Sequence, residues 1–379
     1  MNKTNWFKHS VIYHILIDRF FNNTASLKYS DKPIFLGGNL RGIKKKISYL
    51  KVLGVDTIWI SPFYKTSAYH GYHITDFYEL DPHFGTKEDL IDLINLIHDN
   101  DMHIIADFVP NHCSKLHPFF QEAQKNKYSN YRKWFYFQRW PDKYLCFLHF
   151  PELPKINLDY PPARRYIIDA ALYWLKFELD GYRLDHVIGP SHKFWEIFTK
   201  EIKKEFPDAI LIGEVWMEGI NFSDLKTIKM GGKYFKKFLG VSSDSLLRSY
   251  IGILDGVLDF RGQQIIKEHI CKRGDTSKAI KELNRHYEKY PEDYLLPLFL
   301  DNHDMNRILY ECENNKDRLV EAIRIQFSVN QPVIIYYGTE RGMTQDKPIW
   351  SEKSHGDLLA RQPMQWEKKM RNFLDYIEN

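Results

Sequence analysis

Short runs rich in β-branched and aromatic residues alternate along the chain with longer stretches whose apolar positions recur every three to four residues. The short runs cover residues 11–17, 55–60, 103–109, 181–187, 209–215, 256–260, 295–300 and 332–337 and read as eight strands. Between them, residues 40–53, 87–99, 163–178, 193–206 and 318–329 carry the period of amphipathic helices. Strand then helix, eight times over, predicts an α/β fold of the (β/α)8 TIM-barrel type. The third and fourth strands start about 78 residues apart, well above the other intervals, so something is inserted there. Residues 113–161, rich in Trp, Tyr, Phe and Pro and without a long helical period, are expected to form a small irregular subdomain after strand 3. Residues 1–112 and 162–379 are then the barrel. After the eighth strand come a polar loop, residues 361–366 and room for one short helix, so no separate C-terminal domain is expected.

Composition narrows the function classes. With 44% hydrophobic and 27% charged residues the chain has the balance of a globular protein with a sizeable core. A net charge of +4 is too small and too dispersed to indicate a nucleic-acid or membrane surface, and the run Lys44, Lys45, Lys46 reads as a solvated helix face. Aromatic residues make up 15%, more than a core needs, and suit stacking on flat, weakly polar ligands such as sugar rings. Cys113, Cys146, Cys271 and Cys312 are far apart, form no Cys-x-x-Cys pair and are read as reduced thiols. The N-terminal apolar stretch contains His14 and runs into Asp18 and Arg19, unlike a signal-peptide core, and no run approaches the roughly 18 apolar residues of a membrane span. A soluble, cytoplasmic protein is expected. Walker A, Gly-x-Gly-x-x-Gly and His-Glu-x-x-His patterns are missing, which removes most nucleotide and zinc-hydrolase readings.

In a barrel the C-terminal ends of the strands face the active site. Those ends carry Asp107 to His112 on strand 3, Arg183, Asp185 and His186 on strand 4, Glu214 and Trp216 on strand 5, and Asp301 to Asp304 on strand 7. Arg183 and Asp185 lie two apart and point the same way, and a guanidinium beside a carboxylate keeps it ionised, as a nucleophile requires. Glu214, next to Trp216, suits a less polar pocket that raises its pKa and lets it donate a proton. Any one such acid serves equally well as a helix cap or ion-pair partner; two carboxyl groups with separated pKa values are the working parts of glycoside hydrolysis. Asp107 lies inside its strand and is given a structural, orienting role.

These motifs resemble the α-amylase family, glycoside hydrolase family 13. The resemblance covers most of the chain from Tyr13 to Trp366, through seven ordered segments: 54–62, 107–112, 153–159, 181–187, 213–216, 299–304 and 331–340. It implies that Asp185 is the nucleophile and Glu214 the general acid/base, with Asp304 binding substrate hydroxyls in the distorted transition state. It further implies that Arg183 holds Asp185, that His112 and His303 hydrogen-bond the sugar at the cleavage point with His70 as another polar contact, and that Tyr72 stacks beneath its ring. The implied reaction is retaining cleavage of α-1,4-glucosidic bonds in maltodextrins or starch-like glucans. Alternatives with the same catalytic trio are a transglycosylase, an α-glucosidase or a cyclomaltodextrinase; a non-catalytic sugar-binding relative would typically have lost catalytic acids, and all three stand here.

Within the family, Leu153, Pro154, Lys155, Ile156, Asn157 is similar to the form in neopullulanases, cyclomaltodextrinases and intermediate amylases, and points to maltodextrins. Those relatives carry an N-terminal domain that helps form a dimer; this chain begins almost directly at strand 1, so the resemblance says nothing about its assembly. His73 stands where many chain-end-binding relatives have aspartate, and the Lys-His pair that many amylases carry after the nucleophile is replaced by His186, Val187. The family's C-terminal β-sandwich is expected to be absent. The expected partners are α-glucan oligosaccharides or polysaccharides, with neither nucleic acid nor membrane. No cofactor is required for the chemistry, but Asn111 matches a position that often ligates a structural calcium. A second family site would use Asn22, Asn23, Gly37 and Asn39; it lacks the carboxylates a hard cation wants, and those residues read as turn formers.

Overall fold

The computed structural model describes residues 5–216, 243–349 and 356–367. Eight parallel strands appear where the short apolar runs fall: β1 Val11–Ile15, β2 Thr57–Ile60, β3 His103–Phe108, β4 Gly181–Leu184, β5 Ile210–Gly213, β6 Gly256–Val257, β7 Leu298–Phe299 and β8 Val333–Tyr336. They form one sheet in the order β6-β5-β4-β3-β2-β1-β8-β7. That order is cyclic in the chain, with the first strand beside the last (Val11 opposite Val333), and is the (β/α)8 barrel order. At the remaining seam the Asp259 N–H donates to the Pro297 carbonyl at 3.1 Å. Every residue of β2, β4, β5 and β8 is buried, as expected of strands covered on both faces.

The helices follow their local signals. Thr86 and Asp89 form a capping box ahead of Lys87–His98, whose Leu90, Leu93, Ile94 and Ile97 are buried on one face. Pro161–Leu175 begins with proline in its first turn, and Ser191 caps His192–Glu205 through the Phe194 N–H. The helix expected over 40–53 is instead two, Leu40–Lys44 and Ile47–Val52. The lysine run sits at the break: Lys44 pairs with Asp92 at the surface, whereas Lys46 leaves the solvated face to lie over the Phe21 and Trp366 rings, 4.0 and 3.9 Å from their centres.

The chain divides into two compact units, Met1–Ser61 with Pro82–Ile105 and Leu258–Asn379, and Pro62–Asp81 with Ala106–Val257. In the second unit, the segment between β3 and β4 contains the helix Pro118–Lys125, a 3₁₀ turn Asn130–Trp134 and two small antiparallel pairs, Phe137–Arg139 with Lys143–Tyr144 and Cys146–Phe147 with Phe150–Pro154. Aromatic side chains pack it together. Phe119 stacks on Tyr131 at 4.0 Å, and Phe120 meets Phe135, Phe137 and Tyr144. Part of the aromatic excess is thus consumed in structure rather than in ligand stacking.

In the first unit, Cys271 and Cys312 form a disulfide with Cα atoms 4.1 Å apart, which corrects the expectation that all cysteines are reduced. The π-helical turn Lys267–Cys271 and the end of the helix Ile308–Glu311 bring them together across 41 residues, a proximity that sequence spacing does not reveal. Cys113 and Cys146 are free thiols. No described helix is long and apolar enough to cross a membrane. The short final helix expected from the sequence falls in residues 368–379, outside the described residues.

Candidate active site

In the second unit, three strand ends converge on one guanidinium. Arg183, in β4, is fully buried; Nη1 donates to Asp107 Oδ1 at 2.7 Å and to Asp185 Oδ1 at 2.9 Å, while Nη2 pairs with Glu214 Oε1. Burial opposes the charge on Arg183, but Asp107, Glu214, Tyr72 and Asp185 outweigh it and hold the group protonated well above its ordinary range. The Asp185 N–H donates to the Phe108 carbonyl and the Glu214 N–H to the Leu184 carbonyl, both at 2.9 Å, so each carboxylate stands one rung beyond its strand.

The sequence places Arg183 beside Asp185; in the structure it serves Asp107 and Glu214 as well. Glu214 is buried as expected, yet ion-paired rather than surrounded by apolar groups. Its Oε2 accepts from the His186 backbone N–H at 3.1 Å. His186 has φ 47°, a left-handed conformation that costs a residue with a Cβ, and that turn aims its N–H at Glu214. Two carboxylates fixed by one guanidinium can supply a nucleophile and a proton donor to a single bond.

The sequence Tyr69, His70, Gly71, Tyr72 forms a tight turn in the same unit. Gly71 has φ 89°, and a Cβ there would lie 2.1 Å from the Pro62 carbonyl oxygen, so only glycine fits. The Tyr72 N–H donates to His70 Nδ1 at 3.2 Å, and the Tyr72 hydroxyl donates to Asp107 Oδ2 at 2.7 Å. Asp107 therefore ties Tyr72 to Arg183, the orienting position its place inside the strand suggests. His73 packs edge-on against His70 at 4.8 Å. His112 is buried and held neutral, its pKa pushed down to about 3 by burial and by the His73 and Lys155 charges, with the Tyr72 backbone acting the other way. Phe147, from the inserted segment, touches both His112 and His186 at 4.7 Å.

The first unit holds the other two predicted residues. Asp304 Oδ1 accepts from Arg361 Nη2 at 2.7 Å, and Oδ2 lies 3.0 Å from His303 Nε2. Arg361 also pairs with Asp357 at 2.5 Å and donates through Nε to the His303 carbonyl at 2.7 Å. Behind them His14 stacks on Trp59 at 3.6 Å and meets His303 edge-on at 5.2 Å. In the same unit Asn22 Oδ1 accepts from the Thr24 and Ala25 N–H groups, and Asn39 caps Leu40–Lys44 through Gly42, so both do turn and cap work. Among the described residues no group of three or more His, Cys, Asp or Glu could hold a metal ion.

The alpha-amylase catalytic-domain family model matches residues 14–227 and 249–375. The chain belongs to this family. Alpha-amylase 2 of Dictyoglomus thermophilum is 38% identical over 376 residues, spanning 98% of this chain and 62% of that protein. The intracellular maltogenic amylase of Bacillus subtilis is 29% identical over 384 residues, spanning 97% of this chain and 60% of the relative. The chain thus spans about three-fifths of the length of these curated relatives. Among solved structures, the alpha-amylase of Geobacillus thermoleovorans complexed with acarbose superposes with a TM-score of 0.77 at 30% identity, over 98% of this chain and 77% of the other.

Within this amylase-family chain, the residues missed from sequence are Arg361, Phe147, Lys155 and the His186 N–H. Lys155 lies in the recognised 153–159 segment, so a cation within a motif was an available signal. The other three depend on a left-handed turn and on contacts between segments distant in the chain, which carry no local sequence mark.

Proposed function

We propose that the chain is a retaining α-glycoside hydrolase that cleaves α-1,4-glucosidic bonds in maltodextrins and starch-like glucans. Asp185 attacks the anomeric carbon as the glycosidic C–O bond breaks, and Glu214 passes its proton to the leaving oxygen. Glu214 then takes a proton from water, the water oxygen bonds to the anomeric carbon, and the bond to Asp185 breaks. Arg183 keeps both carboxylates in place, Tyr72 offers its ring to the sugar, and His70, His112 and His303 supply polar contacts. Asp304 binds substrate hydroxyls, held by Arg361 and His303. No step calls for a metal. The observation that carries the reading is the single buried guanidinium shared by Asp185 and Glu214 at the ends of adjacent strands, in a chain of this family.

A cyclomaltodextrin-opening variant of the same reaction is favoured by one feature, the 153–157 segment similar to neopullulanases, cyclomaltodextrinases and intermediate amylases. The maltogenic relative is intracellular, which supports a cytoplasmic enzyme acting on imported dextrins or internal glycogen. The Cys271–Cys312 disulfide points the other way, since the cytosol of most organisms keeps thiols reduced. Chromatography of products from maltoheptaose, β-cyclodextrin, pullulan and soluble starch, with Glu214→Gln as the blank, tests the proposal. Glucose and maltose from the short and cyclic substrates, with slow starch cleavage, are expected. Longer oligosaccharides would mean that transfer outcompetes water, and no product above the blank would refute the function.

A further inference from the structure

Asn111 is the position from which the family resemblance expects a calcium ligand. Calcium takes six to eight oxygens, usually with several carboxylates among them. The corner of the second unit around Asn111 contains a cation of its own. Lys155, on the return from the inserted segment, is 3% exposed, and its Nζ donates to the Gly189 carbonyl at 2.6 Å. Gly189 is pressed against Asn111, since a Cβ there would lie 2.2 Å from Asn111 Oδ1. Asn111 Oδ1 is buried and accepts no hydrogen bond among the described residues.

The backbone holds this corner in register. His112 bridges antiparallel to Lys155, the Ile156 N–H donates to the Asn111 carbonyl at 2.9 Å, and the Lys155 N–H donates to the Leu145 carbonyl at 2.9 Å. The Gly189 N–H closes a turn on the His186 carbonyl at 3.0 Å. The ammonium thus fastens the turn that follows Asp185 to the strand leaving the inserted segment. Its charge reaches both neighbouring imidazoles: after burial it is the leading cause depressing His186, and it acts on His112 as well. A calcium ion on the Gly189 carbonyl would sit about 2.3–2.6 Å from that oxygen, hence no more than about 5 Å from a fixed like charge. The residues present do not fit the metal.

We propose that the Lys155 ammonium takes the place of a divalent cation beside Asn111 and Gly189, making this corner of the fold independent of calcium. Lys155 is on this account a positioning residue for the turn after Asp185, whatever substrate the chain acts on.

Calorimetric melting of the full chain with EDTA and with added calcium, together with calcium titration calorimetry, tests the proposal without relying on activity. The wild-type melting temperature is expected to be the same in both conditions, with no heat of calcium binding. Lys155→Met is expected to melt lower by about 2–5 °C and to gain nothing from calcium. Lys155→Asp, which exchanges the ammonium for a shorter side chain of opposite charge, is expected to melt lower still and likewise to gain nothing from calcium, since one carboxylate does not complete a site of six to eight oxygens. A wild-type chain that loses stability in EDTA and regains it with calcium would overturn the proposal, as would a Lys155→Met protein that melts with the wild type. If neither variant folds, the wild-type chelation and calcium titrations decide alone.

Discussion

Tyr72 is asked to do two separable things, and a pair of substitutions separates them. Its hydroxyl donates to Asp107 Oδ2 at 2.7 Å, and both residues are buried. Tyr72→Phe removes that bond and leaves an oxygen of a buried carboxylate without its donor, at a cost of about 1.5–3 kcal/mol for a hydrogen bond to a charged group. An unfolding entropy of about 2.1 cal/mol/K per residue over this length makes roughly 0.8 kcal/mol per degree. The Phe variant should therefore melt about 2–4 °C lower in differential scanning calorimetry. Its ring is intact, so binding of maltooligosaccharides should change by less than about threefold, RT ln 3 being about 0.6 kcal/mol. Tyr72→Ala loses the ring too and should weaken binding by a further 1–3 kcal/mol, roughly five- to 150-fold in KM or Kd, by analogy with aromatic stacking on bases. A Phe variant with wild-type melting would show that the hydroxyl tie holds nothing. Equal oligosaccharide affinities for Ala and Phe would remove Tyr72 from the sugar site.

Three further outcomes follow from the same geometry. Asp185→Asn should cut turnover by at least about 10³-fold, roughly 4 kcal/mol of lost transition-state stabilisation, while circular dichroism stays native; near-normal activity would overturn the nucleophile assignment. Cys271→Ser closes no 41-residue loop and should cost about 4 kcal/mol, or about 5 °C, matched by wild-type protein in reductant; melting curves indifferent to reductant would mean the pair is not formed in solution. Burial holds the His117 imidazole down to about 4 against the pull of Asp76, so the unfolded chain takes up a proton near 6.5 and the folded chain only near 4. The stability this group contributes is full above about 6.5 and drains as pH falls towards 4, in all about 3 kcal/mol. His117→Asn keeps a side-chain acceptor for the Phe119 N–H and should flatten that acid limb in pH-dependent melting; an unchanged slope would place the titration elsewhere.

The eight strands and most of the helices could be read from the chain because their burial follows a simple period and their caps are local. Thr86 with Asp89, and Ser191 with Phe194, need only three residues of context. Two strands end earlier than the sequence pattern predicts: at 16–17 the apolar run continues into a short helix, and at 185–187 a left-handed step at His186, which composition does not mark, ends the strand. The carboxylates were legible from their places at strand ends. Their partners were less so: Tyr72 with Asp107, Arg361 with Asp304 and Lys155 with Gly189 are each more than thirty residues apart, and no local pattern encodes such pairings. The Cys271–Cys312 pair was missed for the same reason.

The pairing of β1 with β8 has a consequence for how the chain is made. The Tyr13 hydroxyl donates to Glu340 across 327 residues, and Val11 waits for Val333 to complete its ladder. At about 5–20 residues per second, a ribosome needs roughly 15–65 s to deliver β8 after β1 has been synthesised. During that interval β1 presents a free edge to the cell, with Ile12, Tyr13 and Ile15, all buried in the finished fold, lacking their final cover. Chains arrested before residue 333 are therefore expected to bind a chaperone more readily than chains that include β8, the strand that latches β1 into place.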